Sequence, residues 1–146
     1  MKRLALTLLL VLGAVQAAQA LEFRSVKETG VALYEAPSLS AKKLFVVSRY
    51  YPVEVLQSQK EWARVRDATG GIAWIPSAAL SKQRWLLVTS AQAGVRDKAG
   101  EDGKLLFSVP KDGVLEMLEP PQNGWLKVRH RDGSAGYARI TDFWGL

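Results

Sequence analysis

The sequence has 146 residues, 48% of them apolar and 23% charged, which excludes a disordered or collagen-like chain. Lys and Arg outnumber Asp and Glu by 20 to 14, a modest surplus. Cysteine is absent and His130 is the single histidine, so disulfides, thiol nucleophiles, thiolate metal sites and multi-histidine metal centres are all excluded.

Residues 1–20 read as a secretory signal. Lys2 and Arg3 form a basic start, Leu4 to Val15 is an apolar run broken only by Thr7, and Ala18-Gln19-Ala20 supplies the small residues a signal peptidase reads. The run has 12 residues, and a membrane-spanning helix needs about 20. The expectation is cleavage after Ala20, export to the periplasm, and no stable membrane span afterwards. Export also argues against a nucleic-acid partner.

The rest of the chain is one unit written twice. At a shift of 62, Leu33 falls on Val95, Leu44-Phe45 on Leu106-Phe107, Val47 on Val109, Val53-Glu54 on Leu115-Glu116 and Leu56 on Leu118. One extra residue enters near Pro120-Pro121, and at a shift of 63 Trp62 falls on Trp125, Val65-Arg66 on Val128-Arg129, Gly70 on Gly133, Trp74 on Tyr137 and Leu80 on Phe143. Two modules are expected, 21–81 and 82–146, joined by the short polar stretch Ser81 to Arg84 and packed on each other.

Each copy reads as short strands. Apolar runs of four to six residues are separated by Gly, Pro and Asp, and Ala63 and Val65 alternate with Trp62, Arg64 and Arg66. Leu126 and Val128 alternate in the same way with Trp125, Lys127 and Arg129. The period of two directs the first set inward and the second outward. Gly70-Gly71 and Asp132-Gly133 are expected to make tight hairpin turns. Pro76-Ser77-Ala78-Ala79 predicts a single short turn. About five strands per copy imply a small, strongly bent barrel. The apolar end, Phe143-Trp144-Gly145-Leu146, is expected to dock on a barrel rather than stay free.

In order and spacing, each copy resembles a bacterial Src-homology-3-like domain. Copy two carries Ala93-Gly94-Val95-Arg96, then Asn123-Gly124-Trp125-Leu126-Lys127-Val128, then Ser134-Ala135-Gly136-Tyr137-Ala138 and the closing Phe143. Copy one carries Val31-Ala32-Leu33-Tyr34, then Glu61-Trp62-Ala63-Arg64-Val65, then Gly71-Ile72-Ala73-Trp74-Ile75 and Leu80. It departs from the pattern at Tyr34, where the family has Arg, and at Glu61, where it has Gly; copy two departs at Tyr137, where it has Trp. The expected fold is all-β, with two tandem small Src-homology-3-like barrels. The resemblance implies an exported, non-catalytic binding module without cofactors, recognising cell-wall peptidoglycan through its peptide or glycan. The alternative is an adaptor that binds an extended segment of an envelope protein, and a wall hydrolase is a distant third.

The candidate ligand-binding residues are aromatic and basic. Trp62 with Arg64 and Arg66 in copy one, and Trp125 beside Lys127 in copy two, place flat rings next to cations, a combination that stacks on sugars or grips carboxylates. The same rings serve equally as barrel caps. Trp74, Tyr137 and Arg96 belong to the same group. Tyr34, Tyr50 and Tyr51 flank loops, and the Tyr50-Tyr51 pair replaces Asp112-Gly113 of the other copy. Charge is divided unevenly: residues 21–84 hold ten basic and six acidic groups, residues 85–146 eight of each. His130, between Arg129 and Arg131, has no sequence neighbour that would make it a catalytic base.

Overall fold

The computed structural model describes residues 21–146, so the expected signal segment lies outside the described residues. Two sheets of seven strands follow one another along the chain. The first contains β1 (Phe23–Val26), β2 (Val31–Tyr34), β3 (Lys43–Val47), β4 (Pro52–Ser58), β5 (Trp62–Arg66), β6 (Ile72–Pro76) and β7 (Leu80–Ser81). The second contains β8 (Trp85–Val88), β9 (Gln92–Arg96), β10 (Leu105–Pro110), β11 (Val114–Met117), β12 (Trp125–Arg129), β13 (Ala135–Arg139) and β14 (Phe143–Trp144).

The strand orders are β3-β2-β6-β5-β4-β1-β7 and β10-β9-β13-β12-β11-β8-β14, so the second sheet repeats the first strand for strand. Each copy has seven strands where about five are expected, and the last of each is short: β7 pairs only Ser81 with Ser25 and Leu80 with Val26, and β14 pairs only Phe143 with Val88 and Trp144 with Leu87. A single 3-10 turn, Ser77–Ala79, precedes β7 where the sequence predicts one, and Ile140–Asp142 repeats it before β14.

Alternation decides the core. In β5 the pattern buries Ala63 and Val65 and leaves Arg64 exposed; β12 buries Leu126 and Val128. Around Val65 gather Val26, Leu33, Val53 and Ile75, and around Val128 gather Leu86, Val95, Leu115 and Phe143. Each cluster is closed within its own module, as the burial of inward side chains at about 25 cal/mol per Å² favours.

The turns expected to be tight hairpins are longer. Five residues, 67–71, link β5 to β6, and five, 130–134, link β12 to β13. Asp67 explains the first loop. Its backbone N–H donates to Gly71 O, and its Oδ1 accepts from the N–H of Thr69 (2.8 Å), the Thr69 hydroxyl (2.6 Å) and the N–H of Gly71 (3.0 Å). Gly70, at φ 92, supplies the left-handed residue the turn needs.

The modules meet through aromatic rings exchanged reciprocally. Trp85, the first residue of β8, stacks on Tyr50 with centroids 3.7 Å apart. Phe23, the first residue of β1 and the counterpart of Trp85, meets Trp144 edge-on at 5.2 Å. Arg84 lies over the Phe23 ring and donates from Nη2 to Gly145 O at 2.6 Å. Burial and the nearby Arg24 push the pKa of Arg84 down. The apolar tail is thus docked: β14 pairs with β8, and Leu146 packs on the second core.

Candidate functional site

The register of β5, β6 and β2 assembles an outer face on the first module. Arg64 sits opposite Trp74, and Trp74 sits opposite Tyr34. The Tyr34 ring meets Trp62 edge-on at 5.3 Å. Four candidates from three strands, up to 40 residues apart in sequence, therefore form one patch. Trp62 and Trp74 are half-buried, so part of each side chain meets solvent. Tyr34 is buried at 7% exposure, so it acts as the wall that holds Trp62 rather than as a surface ring. Arg64 is exposed and has no carboxylate partner among the described residues.

Arg66 does not share this freedom. Its Nη1 donates to Glu54 Oε2 at 2.8 Å, and Glu54 is buried. Arg66 serves to neutralise that carboxylate, and the second module repeats the pair as Arg129 and Glu116.

The second module builds the corresponding face from Arg96, Tyr137, Lys127 and Trp125. Lys127 is opposite Tyr137, and Tyr137 is opposite Arg96. Its cations are engaged. Arg96 Nη1 donates to Gly103 O at 2.7 Å, Lys127 pairs with Glu119 at 3.7 Å, and Arg139 lies over the Trp125 ring while paired with Glu101.

Tyr50 and Tyr51 are separate from both faces. Tyr50 adopts φ 72, a conformation costly for an aromatic residue, and its ring is held between Trp85 and the guanidinium of Arg49 at 4.7 Å. Its counterpart Asp112 has φ 70, so the fold demands this backbone at both positions. The Tyr pair expected to stand exposed in a loop instead joins the modules, because Trp85 supplies an apolar ring face for Tyr50. Tyr51 packs on the first core, and its hydroxyl accepts from the N–H of Ala68 at 3.2 Å. Burial pushes the Tyr51 pKa up, with Asp67 and Asp112 adding to the rise against the opposing hydrogen bond.

Tyr51 also lines a cleft of about 730 Å³ between the modules. Phe45, Val46 and Arg49 form one wall; Val109, Asp112 and Arg131 belong to the other. Sequence reasoning missed this cleft. The available signal was the mismatch between copies, where Val46 stands against Ser108 and Ser48 against Pro110.

Two family models for the bacterial SH3 domain match the chain, one over residues 29–81 and another over residues 89–145. No curated protein is significantly similar in sequence. Among solved structures, the chain is similar to NlpC1 from Trichomonas vaginalis at 18% identity and TM-score 0.40, over 94% of this chain and 50% of that one. NlpC2 from the same organism gives 17% identity and TM-score 0.40, over 88% of this chain and 49% of that one. An NlpC/P60 family protein from Bacillus cereus gives 15% identity and TM-score 0.40, over 84% of this chain and 56% of that one. The chain thus spans about half the length of these proteins. Among the described residues, no helix is long and apolar enough to cross a membrane.

Proposed function

The chain belongs to the bacterial SH3 domain family, as two tandem copies, and from that premise we propose that it is an exported, non-catalytic module that recognises cell-wall peptidoglycan. In this reading residues 1–20 are removed on export to the periplasm, and 21–81 and 82–146 are the two domains. The first carries the ligand on its outer face.

One observation carries the choice of face. Arg64 has no carboxylate partner among the described residues and lies opposite Trp74 and beside Trp62, whereas Arg96, Lys127 and Arg139 of the second module are already engaged. A free fork next to a half-exposed indole offers a bidentate hold on a carboxylate and a flat surface for a sugar ring or peptide plane. Peptidoglycan presents both.

The test is co-sedimentation of residues 21–146 with purified peptidoglycan. The protein pellets, pelleting falls with added salt, and it is lost in Arg64→Ala and Trp74→Ala while Tyr137→Ala retains it. Urea unfolding of each variant separates a lost site from a lost fold. Absence of pelleting at low salt, or equal loss in Tyr137→Ala, overturns the reading.

A further inference from the structure

The edge strand β3 is the least protected apolar surface of the molecule's first sheet. It pairs with β2 on one side, and no strand lies on its other side among the described residues. Leu44, Phe45 and Val46 follow one another along it at 41%, 37% and 61% exposure. Such an edge is a template for a further strand, and proteins ordinarily blunt it with charge, proline or polar residues. The second module does so over half of its edge: β10 still exposes Leu105 and Leu106, but it has Ser108 in place of Val46 and Pro110 in place of Ser48, and proline removes a backbone donor.

This edge also borders the cleft between the modules, which adds a second wall and charge. Arg49 and Arg131 line it, and neither has a carboxylate partner among the described residues. Of the two acids in the wall, Asp67 spends its Oδ1 on the 67–71 turn. Asp112 lines the same cleft, and its charge acts with that of Asp67 on the Tyr51 hydroxyl. The cleft therefore holds two acids and two guanidiniums that have no carboxylate partner among the described residues, one of them, Arg49, lying over the Tyr50 ring.

We propose that β3 and this cleft capture an extended segment of a partner protein, which adds to the first sheet as an extra strand and sets a carboxylate against Arg49 and Arg131. Alternate side chains of the segment lie on Phe45 and Val46, backbone pairing supplies affinity, and the arginines fix direction. The five residues of β3 span about 17 Å, enough for a segment of five to seven residues. The site is distinct from the outer face of Arg64 and Trp74 and does not depend on it.

The probe is a random heptapeptide library displayed on phage and panned against residues 21–146. Peptides of alternating apolar character with Asp or Glu at one end are enriched. A synthetic copy of the enriched peptide binds at least about tenfold more weakly to Arg49→Ala and to the double variant Val46→Ser/Ser48→Pro, which gives β3 the residues of β10. Val46→Ser alone, at an exposed position, guards against a folding defect in the double variant. Trp74→Ala leaves peptide binding intact, which separates this site from the wall-recognition face. No enrichment, a basic consensus, binding lost in Trp74→Ala but kept in the β3 variants, or a concentration-dependent dimer of the chain through β3 would each overturn the proposal.

Discussion

Tyr50 and Asp112 occupy the same place in modules of the same strand order, and both sit at positive φ. Ala73 and Gly136 share another place, Phe23 and Trp85 a third, and Val46 and Ser108 a fourth. Inward residues of the two copies are exchangeable apolar groups, and the backbone follows them. Outward and edge residues have diverged: the first module holds an arginine with no carboxylate partner among the described residues opposite a tryptophan, and three consecutive exposed apolar residues on its edge, while the second engages its cations and breaks its apolar edge with Ser108 and Pro110. The scaffold is repeated, and the outward differences lie where burial imposes little constraint.

The reciprocal ring exchange offers the largest way to break this comparison. Trp85→Ala removes a buried indole and the stack that anchors Tyr50, and is expected to cost about 3–5 kcal/mol in urea unfolding. Phe23→Ala, on the other module, is expected to cost a similar amount by the same cavity argument.

A smaller asymmetry is built into β13. A Cβ on Gly136 would lie 2.5 Å from Arg96 O and 2.7 Å from Val95 Cγ1, so Gly136→Ala is expected to destabilise by about 1–3 kcal/mol. At the matching position the first module already holds Ala73, buried at 3%; Ala73→Gly should cost only about 0.5–1 kcal/mol. Equal effects in thermal unfolding would show that the close approach of Arg96 and Val95 does not constrain position 136.

The repeated ion pair sharpens the comparison further. Arg66→Ala leaves buried Glu54 without its partner and is expected to cost about 1–3 kcal/mol. Arg129→Ala leaves the less buried Glu116 accessible to water and should cost below about 1 kcal/mol. A double-mutant cycle on each pair reads the difference directly.

The smallest effect is confined to alkaline solution. The Tyr51 pKa is raised above its ordinary value of 10.0, chiefly by burial, so the stability linked to its protonated form is complete below that value and is lost as pH rises through the higher folded value. Tyr51→Phe removes this loss, so the variant's urea midpoint should decline less than the parent's between pH 9 and the most alkaline pH at which both fold. Parallel declines would mean that other groups carry the alkaline sensitivity.

Much of the scaffold was legible from residue order. Val65 and Val128 are inward and Arg64 is outward as period-two alternation requires, and the short turn after Pro76 forms where predicted. The candidate face was legible only as separate residues. Register makes Tyr34 and Trp74 neighbours, and the adjacent Trp62 ring meets Tyr34 edge-on. Arg66 and Arg64 are alike in sequence, and only the pairing of β4 with β5 sets Glu54 against Arg66. Tyr50 and Tyr51 looked like loop surface because their covering groups, Trp85 and the 67–71 turn, lie far away in the chain or in another strand connection.

The sequence by itself determined the duplication, the all-β class, the inward set of each strand and the kind of chemistry available, which is aromatic and basic without thiols or histidine clusters. These follow from local periodicity and composition, and each copy can satisfy them alone. Tertiary structure decided which cations stay free, which tyrosines are consumed at the junction, and where β3 meets the second module across a cleft. Those outcomes depend on pairing across long stretches of chain, and a side chain's solvent and charge partners exist only once that pairing is made.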